Sequence, residues 1–327
     1  MADFITVSSF SYQLLVLLIV IVCKATISHF VHHEPLRFFQ FYCQKLSDKV
    51  NKPQNSPKQQ TIAGLVAILI TILPIAVILY LFEAFIEVTI LWQAFLLYIA
   101  IGSFNLANIT KDIAQSLVAK QNYMAKQTLK PWVLRETEQL SSLGLSKCCI
   151  EMQLLRTLQQ GYTVAIIFLL AGPLAALSYR LLLEMHYCWN TKLVSYQYFG
   201  LYSKRLINIL QWLPVRVFSL LLLFTSIGKN FMLFWHLSKH YFFQLNNNIA
   251  LLLLALSLEV KLGGVAMYND KNQGKQKLRK VSFNDLARQP QVTDIIHGSK
   301  KIRGIIFLSL FFIIFVTCAF ALVFANI

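Results

Sequence analysis

The feature that most constrains this chain is a series of long, almost uncharged apolar segments. Residues 62–82 read IAGLVAILITILPIAVILYLF, without one charged side chain. About 20 mainly apolar residues in a helix span a bilayer core, where the backbone has to satisfy its own hydrogen bonds. Only 13% of the 327 residues are charged, against roughly 25% in soluble chains. The sequence therefore excludes an ordinary soluble domain and predicts an all-α, polytopic membrane protein with about five to six transmembrane helices.

Several other apolar segments come close to or reach the same length. Residues 206–227 carry Pro214 and Arg216 at their centre, so a crossing and a re-entrant path both stay open for them. A shorter run, 249–258, cannot cross a bilayer core and predicts a packed or interfacial helix. The predicted spans are residues 11–28, 62–82, 88–106, 162–183, 206–227 and 305–324.

Lys and Arg residues concentrate in three segments between these spans, which is typical of loops on the cytoplasmic side. Residues 228–303, for example, contain twelve basic and four acidic residues. Both termini are then predicted outside, although this also places the basic loop 184–205 outside. We interpret the chain as one integral membrane domain, residues 1–327, whose basic cytoplasmic loops and helices include 107–159 and 228–303.

The polar segments suggest the bilayer, and no nucleic acid, as the partner. The net charge of +16 could favour nucleic acid, but the basic residues fall between apolar runs. The run KQKLRK at 275–280 lacks interleaved aromatic residues and is interpreted as lipid-facing or solvated. The first half of 111–159 is predicted helical, whereas 268–303 is expected to be irregular and Gly263-Gly264 to interrupt a helix.

No motif for metal or nucleotide binding stands out. The six cysteines form no CxxC pair, and no Gly-rich phosphate loop occurs. His236 and His240 share a helix face but lack the Glu of an HExxH motif. His29 and the HHE run at 32–34 lie near the first membrane exit, where polar interfacial residues are commoner than a metal site. We therefore predict no metal site.

Two arginines lie within apolar segments, where an ionisable residue indicates a function by default. For Arg180 the alternative is a side chain that extends from the end of a span to the membrane surface. Arg216 is central in QWLPVRV, where Pro214 frees nearby carbonyls and Trp212 can stack on the guanidinium. We expect Arg216 to close a polar pocket against loop 184–205, including Tyr198 and Arg205, with an anion or Glu184 between the like charges.

Three elements within 171–217, AGPLAALSYR, KLVSYQYFG and QWLPVRV, together with LRETEQL upstream, carry a resemblance. The chain resembles the CobD/CbiB family of membrane proteins in cobalamin biosynthesis over most of its length. The matching residues are Arg135, Thr137, Leu140, Gly172, Ala176, Tyr179, Arg180, Lys192, Tyr196, Tyr198, Phe199, Gly200, Arg205, Leu206, Trp212, Pro214 and Arg216.

The chain departs from the family where the family has acidic residues. The family's Glu-Asn-Thr-Ser-Asp-Gly run aligns with residues 155–160, LRTLQQ, and its paired acids before the Trp-Pro element align with Ile207 and Asn208. Carboxylates are the ligands that Mg²⁺ prefers, and Leu or Gln cannot replace their charge. AmpE-like proteins of the same superfamily also drop the acidic run and keep a Trp-x-Pro-Val-Arg element.

The resemblance implies an adenosylcobinamide-phosphate synthase, which joins aminopropanol or its phosphate to cobyric acid by an amide bond, with ATP and Mg²⁺. A corrinoid substrate or other corrinoid-pathway proteins would be the partners, and a bacterial inner membrane the location. The alternative is a non-catalytic, AmpE-like membrane regulator or sensor, so enzymatic activity stays open and no catalytic residue is assigned. The resemblance implies ligand binding by Arg135, Thr137, Arg180, Lys192, Tyr198, Arg205 and Arg216, and a structural role for Phe199, Gly200, Trp212 and Pro214.

Overall fold

The chain folds into a bundle of helices with one β-hairpin. The computed structural model describes residues 2–30, 36–102, 105–225, 231–270 and 274–325. In chain order the elements are α1 (Ala2–Phe30), α2 (Arg37–Val50), α3 (Pro57–Glu83), α4 (Thr89–Ala100), α5 (Leu106–Val118), α6 (Asn122–Leu129), α7 (Ser142–Arg156), α8 (Thr163–Cys188), α9 (Leu201–Phe224), α10 (Phe231–Ser238), α11 (Asn248–Ser257), β1 (Leu262–Asp270), β2 (Gly274–Phe283) and α12 (Val292–Ala325).

Five helical stretches among the described residues are long and apolar enough to cross a membrane, which confirms the predicted polytopic all-α class. They are Phe10–Ser28, Pro57–Glu83, Ser142–Cys188, Leu201–Phe224 and Val292–Ala319. In α3, which begins with a capping box between Ser56 and Gln59, one apolar face is exposed along residues such as Ile70 and Ile78. A continuous exposed apolar face of this kind needs lipid around it.

The prediction of a span over 88–106 is wrong, because α4 has only 12 residues. The backbone leaves the helix at Ile101 (φ −66°, ψ 135°), and the N–H of Gly102 donates to the carbonyl of Gln160 at 2.8 Å. Within α1, the buried Lys24 donates to the carbonyls of Tyr98 and Ile101 at the end of α4. A cation from a spanning helix therefore satisfies carbonyls that the end of a short helix leaves free.

The helix around 162–183 is longer than predicted because α7 and α8 join end to end. They are connected through a π-helical turn, Thr157–Tyr162, so that helical structure continues from Ser142 to a bend at Gly172, beyond which a second helical part runs to Cys188. Gly172 breaks the regular path with φ 82° and ψ −176°, directly before Pro173. π-turns are rare and often lie at functional sites, and this one lies on the LRTLQQ run.

Two apolar cores hold the bundle together. In one, side chains of α5, α7, α11 and α12 pack on the distal half of α9. In the other, α8 is surrounded by α1, α2, α3 and α4. The run 249–258 forms α11, whose residues Leu252–Leu256 are all buried, as the prediction of a packed helix requires. The predicted helical character of 111–129 is also confirmed, by α5 and α6.

A β-hairpin occupies residues expected to be irregular. Strands β1 and β2 pair antiparallel, with Leu262 opposite Phe283 and Asp270 opposite Gly274. Gly263-Gly264 forms a β-bulge and does not interrupt a helix. Both glycines have positive φ, and a Cβ on Gly263 would lie 2.1 Å from the carbonyl oxygen of Val281. After the hairpin, α12 already begins at Val292, so the expectation of an irregular 268–303 is wrong.

Candidate functional site

The carboxyl-terminal half of α8 places a buried ion pair inside the bundle. Arg180 and Glu184 are one helical turn apart, a spacing at which side chains meet, and Nη2 lies 2.6 Å from Oε1. The other oxygen of Glu184 accepts from Nε2 of Gln40 at 2.7 Å. Arg180 is 6% exposed and Glu184 is fully buried. Arg180 therefore does not extend to the surface.

The π-turn brings a second guanidinium to the same place. With its oxygen facing the two arginines, the amide of Gln160 accepts from Arg156 at 2.7 Å and from Arg180 at 3.2 Å. Arg156 also donates to the carbonyl of Trp132, at 3.3 Å from Nε and 3.0 Å from Nη2. Its guanidinium lies 4.6 Å from the ring centre of Tyr187. Two guanidinium groups thus share one neutral acceptor, beside a single carboxylate.

A network of neutral polar groups supports this arrangement and ties α8 to α9. The hydroxyl of Tyr187 donates to Oε1 of Gln159 at 2.8 Å, and that of Tyr179 donates to the Gln159 carbonyl at 2.9 Å. Gln211 of α9 donates to the Tyr179 hydroxyl at 2.9 Å and accepts from Asn247 at 3.0 Å. Gln159 also donates from Nε2 to Oε1 of Gln211 at 3.3 Å, so both ends of its side-chain amide are bonded, which holds the π-turn in place.

Two lysines add charge at the end of α8. Lys192 and Lys204 are near enough to His186 to act on its imidazole electrostatically, and Nδ1 of His186 is buried without a hydrogen-bond partner. Lys192 also lies over the ring of Tyr268, 5.8 Å from its centre. Arg156 and Arg180 meet at Gln160, whereas Lys192 and Lys204 lie around His186. We refer below to these two groups together, Arg156, Arg180, His186, Lys192 and Lys204, as the cationic cluster.

Strand β1 borders the cationic cluster at Lys192. Two acids lie at this strand, Asp270 within it and Glu151 of α7 beside it. Asp270 accepts from the backbone N–H of Ser195 at 2.8 Å and from its hydroxyl at 2.5 Å. Glu151 of α7 accepts from the N–H of Gly263 at 2.9 Å and pairs with Arg135 at 2.9 Å. Burial acts to lower the pKa of Arg135, but Cys148, Glu151 and Tyr268 together outweigh it, so the pKa stays above its ordinary value. Arg135 is thus a charged but already paired group.

The cationic cluster suits an anionic ligand. Four of its residues are Arg or Lys, and Glu184 pairs with one of them, Arg180. Guanidinium groups bind phosphate and carboxylate through short, paired hydrogen bonds. Arg180 is buried in the bundle, where a low dielectric strengthens such contacts relative to water, whereas Lys192 and Lys204 are exposed. The arrangement can therefore hold and orient a phosphate or carboxylate group.

The described residues do not supply the carboxylate set that the resemblance implies for Mg²⁺. Each acid near the cluster, Glu151, Glu184 or Asp270, is already bonded to protein donors. No group of three His, Cys, Asp or Glu side chains able to hold a metal occurs in the described ranges. The side chains of His29 and of residues 32–34, the histidine cluster considered from the sequence, lie outside what the structure describes.

The structure brings only some of the predicted ligand-binding residues together. Arg180 and Lys192 belong to the cationic cluster, and Arg135 reaches its border where it bridges to Tyr268 in β1. Thr137 is buried at 3% exposure. Tyr198 and Arg205 are exposed, and the Arg205 guanidinium stacks on the neighbouring Tyr202, 5.9 Å from its ring centre.

The predicted pocket between Arg216 and loop 184–205 is wrong. The guanidinium of Arg216 donates to the carbonyls of Phe242 at 2.6 Å and Asn246 at 3.0 Å. It also donates to the carbonyls of Tyr241 and Gln244. The irregular turn between α10 and α11 offers these carbonyls next to α9, whereas Glu184 is taken by Arg180. The expected stacking is present, with the guanidinium 5.4 Å from the ring centre of Trp212.

The motif residues given a structural role are sites of close packing. Phe199 is fully buried, with its ring edge-on to Trp189 at 4.8 Å. A Cβ on Gly200 would lie 1.9 Å from the Trp189 carbonyl oxygen, and a Cβ on Gly64 would lie 2.0 Å from that of Phe199. Pro214 is buried inside α9. The missing side chain of Gly200 thus lets the loop lie close to Trp189 at the end of α8. That of Gly64 lets α3 lie close to Phe199.

Sequence reasoning missed Arg156, Gln160 and Tyr187 as members of one site. The signal for two of them lies in the LRTLQQ run, which contains Arg156 and Gln160. Arg156 and Gln160 share a helix face at the ordinary spacing of four residues. They meet Arg180 because α8 bends at Gly172, and its second half returns beside the π-turn, where Tyr179 contacts the Gln159 carbonyl.

The chain matches one protein family over most of its length. The family model described as CobD/Cbib protein matches residues 17–298. The cobalamin biosynthesis protein CobD of Leptospira interrogans is 26% identical over 215 residues, which are 63% of this chain and 66% of that protein. The protein of the same name from Stutzerimonas stutzeri is 23% identical over 235 residues, 72% of this chain and 76% of that protein.

A third relative, the cobalamin biosynthesis protein CobD of Chromobacterium violaceum, is 26% identical over 174 residues, 53% of this chain and 56% of that protein. The matches with the Leptospira and Chromobacterium proteins thus cover less than two thirds of their lengths. No solved structure matches the chain.

Proposed function

This chain belongs to the CobD/CbiB family, and from that premise we propose that it forms the amide bond between cobyric acid and aminopropanol or its phosphate. The family model covers residues 17–298, and the named relatives are proteins of cobalamin biosynthesis. The observation that carries the proposal is the pair of guanidinium groups, Arg156 and Arg180, held on one neutral amide beside one carboxylate. Cobyric acid presents a carboxylate at the position of the new amide, and aminopropanol phosphate carries a phosphate, so both are anionic groups that guanidinium side chains bind.

The residues of the cationic cluster would bind and orient these anions. Arg156 is fixed by the Trp132 carbonyl and by Tyr187, and Arg180 by Glu184. Such preorganised donors orient a phosphate or carboxylate without paying for reorganisation. Lys192 and Lys204 extend the positive region towards the membrane-flanking loop, where a phosphate on the amine substrate would bind.

ATP and Mg²⁺ are the expected cosubstrates, and ATP would supply the activation that a carboxylate needs before an amine attacks it. We assign no step through the metal, because Glu151, Glu184 and Asp270 are already bonded within the protein. The proposed location is the inner membrane of a bacterium, with a corrinoid or other corrinoid-pathway proteins as partners.

The direct test uses the purified full-length protein with cobyric acid, aminopropanol phosphate and Mg-ATP. We expect a corrinoid product that is heavier by aminopropanol phosphate less one water, measured by mass spectrometry, and the loss of this product in Arg180→Leu. A strain lacking only this gene and fed cobyric acid should fail to make adenosylcobinamide. Undiminished adenosylcobinamide in that strain would falsify the proposal.

A second candidate, a non-catalytic AmpE-like regulator or sensor, is favoured by one feature. Gln159 and Gln160 stand where the family has Asp and Gly, and both are engaged in hydrogen bonds within the bundle. A regulator would bind an anionic ligand without consuming ATP. Anion binding with no turnover, and gene neighbours in cell-wall amidase regulation, would favour this candidate over the synthase.

A further inference from the structure

A cavity of about 500 Å³ lies beside the first turns of α12, before the apolar run of this helix begins. It is lined by Ser257 and Leu258 at the end of α11, by Arg288, and by one side of the first turns of α12: Asp294, His297, Lys300 and Lys301. The cavity is open on one side and not enclosed. None of these residues belongs to the cationic cluster.

The charges around this cavity leave it positive. Asp294 is paired with Arg288 through two contacts of 2.7 Å and also accepts from the N–H of Gln291. Lys301 donates to the carbonyl of Ser257 at 2.6 Å, and Glu259 lies near enough to act on Lys301 and Arg288. Asp294 and Glu259 are two acids, whereas Arg288, Lys300 and Lys301 are three basic residues, so the cavity keeps an excess positive charge. Lys300 and His297 are exposed at the cavity.

The position of the cavity along α12 adds a second, independent observation. Arg303 is the last charged residue of the chain before an uncharged run that begins at Gly304. Seven residues after Lys300, and so on the same helix face, Phe307 begins an exposed stripe that continues at Phe311 and Phe315. The rings of Phe311 and Phe315 stack at 6.4 Å. The positive cavity and the strip of exposed aromatic side chains therefore lie one after the other on the same face of α12.

We propose that this cavity binds the headgroup of an anionic glycerophospholipid, with one acyl chain lying along the Phe307, Phe311 and Phe315 stripe. The phosphate contacts Lys300 and His297, and Lys301 faces it from the cavity wall. Basic pockets that flank transmembrane helices bind anionic headgroups in this way. A free phosphate would use the same cations but would leave the aromatic stripe without a role, which is why we assign a lipid.

The test measures lipid preference with the purified full-length protein. The thermal midpoint of unfolding and the lipid retained in native mass spectrometry are compared in phosphatidylcholine and in phosphatidylcholine mixed with phosphatidylglycerol. The parent protein should be stabilised by phosphatidylglycerol and should retain it. Lys300→Gln should weaken retention roughly fivefold, and Lys300→Gln with His297→Asn should weaken it further. Each midpoint is compared with that of the same variant in pure phosphatidylcholine, so a change of intrinsic stability cancels.

Lys45→Gln with Lys49→Gln is the matched control, because both residues are exposed cations of α2, away from the cavity. The control should keep the preference for phosphatidylglycerol. An equal loss in the control would mean a general effect of surface charge and would overturn the site. An absent preference in the parent protein would also overturn it. Displacement of phosphatidylglycerol by millimolar inorganic phosphate would reassign the cavity to the free ion and overturn the lipid proposal.

Discussion

Arg180 and Glu184 form a 2.6 Å ion pair one helical turn apart in α8, and neither side chain reaches the surface of the bundle. Removing one member of a buried pair leaves the other charge uncompensated, which costs more than the pair contributes. The surroundings of Arg180 include the second guanidinium of Arg156 on the shared Gln160 amide. Glu184 is therefore the group that keeps two neighbouring cations tolerable when no ligand is bound.

Glu184→Gln is expected to destabilise the protein by about 3–5 kcal/mol. The measurement is thermal or denaturant unfolding in detergent. Glu138→Gln is the control, because Glu138 forms a 3.4 Å pair with Lys130 on the surface, with side-chain exposures of 64% and 58%, and such pairs contribute about 0–1 kcal/mol. The double variant with Arg180→Met should recover part of the loss. Equal effects of both single variants would contradict the buried role of Glu184.

Gln160→Glu should separate stability from ligand binding. The new carboxylate would lie between Arg156 and Arg180, at the 2.7 Å and 3.2 Å contacts that the amide oxygen now makes. We expect the unfolding midpoint to stay equal or rise and anion binding to fall about tenfold or more, because an internal carboxylate competes for both guanidinium groups. Titration with aminopropanol phosphate, or with inorganic phosphate as a simpler probe, measures the second effect.

Gln139→Glu adds the same charge at an exposed position and should leave binding unchanged. If Gln160→Glu binds anions as well as the parent protein, the two guanidinium groups do not form the ligand site.

Gly200→Ala should be poorly tolerated. The added Cβ would lie 1.9 Å from the Trp189 carbonyl oxygen, a backbone atom that cannot turn aside. Overpacking a close approach of this kind costs about 1–3 kcal/mol or more. Gly161→Ala is the matched control, because nothing lies within 4 Å of the position of its Cβ. Expression level and unfolding midpoint decide the comparison, and a tolerated Gly200→Ala would mean that the loop can shift.

The sequence predicted those parts of the fold that depend on uninterrupted pattern. The apolar run 62–82 became α3, and the short run 249–258 became the buried α11, because length alone separates a span from a packed helix. Sequence analysis missed the hairpin for two reasons. The alternation of buried residues at Ala266, Tyr268 and Asp270 is short, and the Gly-Gly pair before it is equally typical of a break in a helix. The spacing of residues within β1 does not show that β2 is the strand with which it pairs.

For the candidate site, the sequence indicated Arg180 and Lys192 but not their neighbours. The contact of Arg156 and Gln160 with Arg180 depends on the bend of α8 at Gly172. The predicted Arg216 pocket failed because a neighbouring turn offers four carbonyls to that guanidinium. Both misses concern backbone geometry at places where helices end or bend. Apolar periodicity carries no information about such places.

Arg216→Leu is therefore expected to act on stability, and through it on function. In the parent protein this guanidinium donates to the carbonyls of Tyr241, Phe242, Gln244 and Asn246 and is 2% exposed. Leucine removes the donor of the Phe242 and Asn246 carbonyls, at a cost of about 1–3 kcal/mol for each group that stays buried. The carbonyls of Tyr241 and Gln244 keep backbone N–H donors, from Gln244 and Asn246. The unfolding midpoint should fall, and amide hydrogen exchange should accelerate in 239–247 before it does in α3.

Arg216→Lys should keep part of the stability, since an ammonium retains the charge but cannot reach several carbonyls at once as the planar guanidinium does. Arg205→Leu removes an exposed arginine of the same helix and should change neither the midpoint nor the exchange of 239–247. If Arg216→Leu unfolds at the parent temperature but no longer binds an anionic ligand, Arg216 is a ligand-binding residue and its contacts with the turn are incidental. A lowered midpoint with faster local exchange in 239–247 would instead show that Arg216 stabilises the turn. Asn247 of this turn donates to Gln211, so the turn supports the polar network of Gln211, Tyr179 and Gln159 beside the cationic cluster.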